Sequence, residues 1–308
     1  MACEVTRLRI IGEICLHTFD FVSVGAYTKD TIVTRSGTRQ VHGGGYSYSA
    51  HAARLLDQRV GAVTRLARED VDSTRLLRES GVEVMVRPSE KSTVMRLEYP
   101  TTNVDERILT VTDVADPFRV EDVVDVRAEA ILISASIRGE VSLPVVKAIR
   151  ERARLLGVDV QGFVRIVTPE GKLAYQGWPE MSEVLSLVDV LKTDAVEAEF
   201  LTGQADIRVA ARKLASFGPK EIVLTHKDGL LVLANGEYFE QPFRPVELRG
   251  RSGRGDTCVG SYLSSRLQSS PEQATKWAAA LTSLKLEEEG PIRRTRSEVE
   301  ELIRRQYS

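Results

Sequence analysis

The chain is short of cysteine, of net charge and of long apolar runs, and each shortage removes a class of function. Its three cysteines, Cys3, Cys15 and Cys258, are odd in number and widely spaced, with no CxxC pair and no histidine spacing suited to zinc. A disulfide framework is excluded on that count, and a reducing, cytoplasmic setting is expected. The formal net charge is −2 over 308 residues, so no positive field exists to attract a phosphate backbone and no nucleic-acid partner is expected. Arginines are numerous, but in stretches such as 143–156 they alternate with acids, the pattern of a solvated helix face. No stretch approaches the ~20 apolar residues needed to span a bilayer, and residues 1–9 carry no apolar run of signal-peptide length. Membrane association is not expected. Internal repeats, low-complexity tracts and linkers rich in Pro, Gly and Ser are also missing, which favours one domain over residues 1–308.

What is present is an alternation of short β-branched runs with longer helical patterns, the signature of a mostly parallel sheet covered by helices. Strands are predicted at 8–11, 62–64, 131–133, 158–160, 188–191 and 222–225, and helices at 48–58, 71–80, 143–156, 207–215 and 257–267. Residues 19–40 and 91–112 never acquire a helical period and read as strands with polar alternation. They predict a small β lid, inserted as segments of about 18–42 and 90–113, that folds over the sheet edge. Asn235-Gly236 between two apolar runs predicts a tight hairpin. Ser270-Pro271-Glu272-Gln273 predicts a helix start, with Ser270 as cap and Gln273 closing a capping box.

The stretch GRSGRGDTCVGSYL from Gly250 carries the chemistry. Gly253 and Gly255 allow a tight bend directly before an amphipathic helix, and the unpaired N–H groups of a first helical turn form an anion site. A phosphoryl group in transfer needs fixed donors of this kind, and Asp256 at the same bend can take the proton of an attacking hydroxyl. A plainer reading is also open, in which Asp256 is an acid complementing the helix dipole.

In company with Gly43-Gly44-Gly45 ahead of a helix, Lys192-Thr193-Asp194-Ala195-Val196-Glu197 after a strand and Thr225-His226-Lys227-Asp228-Gly229, this GxGD turn resembles the ribokinase-like, PfkB-type carbohydrate kinases. The matches run in order from residue 8 to about residue 294. The wording SGRGDTC, with the segments 115–118, 161–165 and 289–294, is most similar to the myo-inositol 3-kinase branch. The resemblance implies a three-layer α/β/α sandwich with a β-strand lid, and an ATP-dependent kinase that phosphorylates a hydroxyl of a small sugar or cyclic polyol. It implies Asp256 as catalytic base, with Gly253, Arg254 and Gly255 around the transferring phosphate. Gly43, Gly44 and Gly45 would floor the substrate pocket, with Gly44 as the position where a side chain would occupy the polyol's space. Asp194 and Glu197 would place Mg²⁺, matching an NxxE motif with Asp for Asn. Thr225, His226, Lys227 and Gly229 would lie under the nucleotide, together with Asp194, Gly253 and Gly255.

Some residues depart from the family pattern. Relatives end the first strand with an aspartate that binds substrate hydroxyls, and here that position is assigned to His17, with Asp20 three residues on. Gly250 stands where many relatives carry Asp, although the inositol-like branch shares the glycine. Arg165 is expected to make structural or anion contacts. A kinase for a pentose, hexose or nucleoside, or a non-catalytic nucleotide or polyol sensor, are the competing functions. A homodimer paired through the lid is the partner the family suggests.

Overall fold

The structure, a computed structural model, describes residues 9–11, 14–35, 37–101 and 108–307. The strands, in chain order, are β1 (Arg9–Ile11), β2 (Ile14–Val24), β3 (Thr28–Thr34), β4 (Gly37–Gly43), β5 (Val60–Ala67), β6 (Glu83–Ser89), β7 (Thr93–Glu98), β8 (Ile108–Asp113), β9 (Val126–Ile133), β10 (Ala153–Asp159), β11 (Arg165–Val167), β12 (Leu173–Tyr175), β13 (Val190–Asp194), β14 (Glu221–Thr225), β15 (Gly229–Ala234) and β16 (Glu237–Pro242). The α-helices are α1 (Gly45–Arg54), α2 (Arg75–Glu79), α3 (Leu143–Arg150), α4 (Gln161–Val164), α5 (Met181–Leu185), α6 (Ala195–Thr202), α7 (Ile207–Ala215), α8 (Arg254–Ser265), α9 (Pro271–Leu286) and α10 (Arg296–Gln306).

The central sheet has the order β16-β15-β14-β13-β10-β9-β2-β5-β6, parallel from β14 through β6 and antiparallel at the β14–β15–β16 edge. Period-2 alternation splits its side chains between two layers of helices. Val22, Val24, Ile131, Ile133, Leu191, Ile222 and Leu224 pack in one core with α3 and α7. Phe21, Ala130, Leu132, Val190 and Val223 pack on the other side with α1 and α8. Every position of β5 is buried, as expected of a parallel strand covered on both faces. The expected three-layer sandwich is therefore the observed one. A second sheet, β4-β3-β7-β8, forms the lid, with apolar Met95, Leu97 and Val111 on its inner side. Asn235 and Gly236 have φ of 53° and 80°, the paired positive values of a type I′ hairpin turn. Ser270 caps α9 as its sequence predicts. Among the described residues no helix is long and apolar enough to cross a membrane.

Several boundaries move. Residues 19–24 are not lid: they finish β2, the first parallel strand, with Phe19, Phe21, Val22 and Val24 all in the core. The lid starts at Thr28. Residues 9–11 of the strand predicted at 8–11 are a short antiparallel flank of β2, and residue 8 lies outside the described residues. The helix predicted at 143–156 stops at Arg150, because from Ala153 the chain pairs between β9 and β13. The helix predicted at 71–80 is a 3₁₀ stretch, Arg68–Thr74, followed by the short α2. There the Ser73 hydroxyl bonds the Asp70 carbonyl, a local contact that competes with the α-helical ladder. Of the lid segment predicted at 90–113, residues 102–107 lie outside the described residues.

Candidate active site

A cavity of about 420 Å³ opens at the carboxyl ends of the parallel strands, between them and the lid. This is where open α/β sheets bind ligands. Asp256 stands in its wall, in the first turn of α8, whose N-cap Gly253 has φ +75°. The glycines around Asp256 are set by close approach. A Cβ on Gly253 would come within 2.2 Å of the Tyr48 ring, one on Gly255 within 2.9 Å of Lys192 Nζ, and one on Gly45 within 2.6 Å of Asp256 Oδ1. Gly253, Arg254 and Gly255 all line the cavity, so the start of α8 forms part of its wall, with the Arg254 N–H donating to the Arg251 carbonyl at 3.2 Å.

Beneath Asp256 lies a buried charge network. Lys192 Nζ is 3.1 Å from Asp159 Oδ2 and 3.9 Å from Glu197 Oε2, and Arg165 donates to Glu197 Oε1 at 2.8 Å. Burial raises the Asp256 pKa above the ordinary carboxylate range, against the opposing pull of Lys192 and Arg165. Burial likewise raises Asp159. Burial alone would raise Glu197 too, but Lys192 and Arg165 outweigh it and hold that carboxylate ionised. The outcome is two carboxylates made more basic, Asp256 and Asp159, with the Lys192 ammonium against Asp159 as the compensating cation. Gln161 Nε2 lies 3.5 Å from Asp256 Oδ1 and is placed to hold that carboxylate's orientation.

The structure gathers some of the expected residues and disperses others. Gly44 and Gly45 line the cavity with Asp256 and Asp194. Gly43 does not line it and packs on Tyr48. The position that crowds the acid is Gly45, whereas Gly44 is held to glycine by φ +107° and by the Ala26 carbonyl, 2.5 Å from where its Cβ would be. His17 and Asp20 are corrections. Neither lines the cavity: His17 Nδ1 pairs with Glu83 at 2.8 Å, and Asp20 accepts the N–H of Arg59, the residue before β5, at 2.7 Å. With the first parallel strand at Ile14–Val24, the residues that follow it into the cavity are Thr28 and Asp30. The sequence reading missed Asp30; its signal was Gly25-Ala26-Tyr27-Thr28-Lys29-Asp30 following the apolar run 21–24.

On the donor side, Thr225 ends β14 in the cavity wall, but His226, Lys227 and Gly229 are not among the residues that line it. The His226 ring accepts the Asp228 N–H at 3.3 Å, and the Lys227 side chain is 84% exposed. Arg251 and Arg254 line the cavity instead. Asp194 and Glu197 form a reciprocal capping box at the start of α6. Glu197 is fully buried, with Oε1 taken by Arg165 and Oε2 by the Asp194 N–H, so its part in the pair is to hold Asp194 and Arg165 in place. Asp194 is different, since its carboxylate lies in the cavity wall. Mg²⁺ is usually held by one or two carboxylates, several waters and substrate phosphates, and Asp194 suits that arrangement.

Known proteins share this fold. A pyrophosphate-dependent kinase of the ribokinase family, solved with a pyrophosphate analog and myo-inositol, superimposes with a TM-score of 0.84 at 35% identity, over 91% of this chain and 99% of that one. A pyrophosphate-dependent myo-inositol-1 kinase converted into a myo-inositol-3 kinase by two substitutions matches at 35% identity and TM-score 0.84, over 94% of this chain and all of that one. A cytidine kinase of Thermococcus kodakarensis is 24% identical over 256 residues, 79% of this chain and 87% of that protein. The family model described as pfkB family carbohydrate kinase matches residues 5–297, and the chain belongs to the pfkB family of carbohydrate kinases.

Proposed function

We propose that the chain transfers a phosphoryl group to a hydroxyl of a cyclic polyol, with myo-inositol as the acceptor and Asp256 as the base. The observation that carries this reading is the placing of Asp256, raised by burial, at the glycine-bounded start of α8 inside a lidded cavity. The acceptor side is the lid side, where Thr28, Asp30, Gly44 and Gly45 stand. Asp30 accepts hydrogen bonds from the acceptor's hydroxyls there. Asp256 removes the proton of the attacking hydroxyl as its oxygen bonds to phosphorus, and the remaining donor phosphate departs toward Arg251 and Arg254. The first-turn amides of α8 hold the oxygens of the transferring group. Mg²⁺ bound through Asp194 and waters would neutralise charge on the linked phosphates. The lid sheet excludes water from the acceptor.

Pyrophosphate is the favoured donor. The residues expected beneath an adenine, His226, Lys227 and Gly229, are outside the cavity wall, while the guanidiniums of Arg251 and Arg254 are inside it. Guanidinium forks match phosphate oxygens. Two of the similar proteins are pyrophosphate-dependent kinases, which supports the same reading. ATP, the donor expected from the sequence, is the second reading, supported by Thr225 in the wall and by an ATP- and Mg²⁺-bound member of the same fold. The test is a matrix of donors (pyrophosphate, ATP) against acceptors (myo-inositol and its stereoisomers, ribose, fructose phosphate, cytidine), with orthophosphate or ADP release measured and the phosphorylated carbon located by NMR. Turnover with a pentose, hexose or nucleoside but with no inositol sinks the acceptor assignment. Donor binding with no turnover on any pair would mark a sensor.

A further inference from the structure

The buried cations beneath Asp256 each face a carboxylate. Lys285 does not. It stands near the end of α9, fully buried. Its Nζ donates to two main-chain carbonyl oxygens, those of Gly250 and Glu288, each at 3.2 Å. The face of the Tyr48 ring, 5.7 Å from Nζ to its centre, is the other neighbour. Burial lowers the Lys285 pKa to about 8, while the carboxylates of Glu288 and Asp256 act to raise it. The group is thus still an ammonium at neutral pH, and it senses the charge of the base.

What Lys285 touches is the frame of the anion-binding turn. Gly250 precedes that turn by three residues, and the N–H groups of Arg249 and Gly250 both donate to the Leu286 carbonyl, at 2.9 and 3.1 Å. No side chain fits on Gly250, whose Cβ would lie 2.3 Å from the Glu288 carbonyl oxygen. Tyr48, the ring facing the ammonium, is also the ring against which Gly253 rests. The ammonium therefore joins the chain entering the turn, the loop after α9 and the ring behind the N-cap of α8. Carbonyl oxygens and an aromatic face are the environment that also holds a free monovalent cation.

We propose that Lys285 is a positioning residue for phosphoryl transfer, a tethered monovalent cation that keeps residues 250–256 in their anion-binding shape. The inference rests on the kinase reading above. It deepens that reading by assigning the chain its own internal cation in place of a dissolved one.

The experiment compares the native chain with Lys285→Met and Lys285→Ala in choline, sodium, potassium and ammonium chloride, following kcat, both KM values and thermal unfolding. The native chain is expected to turn over equally in all four salts. Lys285→Met is expected to lose ~10–10²-fold in kcat with the acceptor KM held, as a sub-ångström loosening of a transfer site would cause. Lys285→Ala, which leaves a carbonyl-lined hole, is expected to regain rate with ammonium or potassium and not with choline. A native requirement for potassium overturns the proposal, and this arm needs no variant to fold. Native kcat in Lys285→Met also overturns it, as does a lost rate in Lys285→Ala that no small cation restores, since Lys285 is then a brace of the fold alone. A native chain without turnover on any pair fails the kinase reading, and the positioning role is then read from pyrophosphate affinity by calorimetry. An affinity ~10-fold weaker in Lys285→Met supports it, and equal affinity overturns it.

Discussion

Gly45→Ala isolates the geometry of the base, because the added methyl group has so few ways to be accommodated. Its Cβ would lie 2.6 Å from Asp256 Oδ1, 2.8 Å from the Ser134 carbonyl oxygen and 2.9 Å from Ser134 Cβ. Comfortable contacts begin near about 3.5 Å, so something must retreat by ~1 Å. The Ser134 backbone is pinned, its N–H donating to the Val24 carbonyl at 2.8 Å. The Asp256 side chain is the softer party and moves. A displacement of ~1 Å at a transfer site costs about 10²-fold in rate. Overpacking should lower stability by ~1–3 kcal/mol, partly offset by the better helix propensity of alanine at the first position of α1. The assay is steady-state phosphate release with thermal unfolding in parallel, and Gly177→Ala, where no atom lies within 4 Å of the added Cβ, is the control. Native kcat in a folded Gly45→Ala protein would refute the claim that Asp256 works from the position described.

Three further outcomes follow from the same contacts. Gly253→Ala forces a left-handed residue to carry a Cβ inside the Tyr48 ring, and it should weaken pyrophosphate binding and turnover together, measured by calorimetry and phosphate release. Glu197→Gln leaves Arg165 and Lys192 with less buried countercharge and should cost about 3–5 kcal/mol, read by urea unfolding. Glu140 accepts the N–H groups of Ala26, Ser136 and Ile137, yet burial pushes it up to about 7. Its folded pKa lies above its unfolded one, so its contribution is full below the ordinary value near 4.5 and is lost as pH rises through about 7. The stability gap between native and Glu140→Gln should therefore shrink between about pH 5 and pH 8, and a gap that grows would refute the sign.

The sheet was legible because parallel strands buried on both faces leave unbroken apolar runs, as in 131–133 and 222–225, and the GxGD bend was legible because glycines and an acid before a helix have a direct physical meaning. The lid boundary was less legible. Residues 19–24 alternate in the sequence like a half-exposed strand, and only the packing of Phe19, Phe21 and Val24 shows them to be central. That error carried over to the site, since placing the first parallel strand too early put His17 and Asp20 at the cavity, whose lining holds Thr28 and Asp30 instead. The surroundings of Glu197 were illegible for another reason. Spacing marks Asp194 and Glu197 as a pair, but whether a buried carboxylate faces a cavity or an arginine depends on Arg165, thirty-two residues away in sequence. Lys285 has no sequence signal, because its partners are main-chain carbonyls.

The central claim is that Asp256 removes the acceptor's proton at the glycine-bounded start of α8, and the measurement that bears on it most directly is turnover of Asp256→Asn with myo-inositol and its preferred donor. The substitution keeps shape and removes basicity, so kcat should fall by about 10²–10⁴-fold while unfolding and donor affinity stay near native. A variant that binds donor, folds normally and still turns over at the native rate would contradict the account.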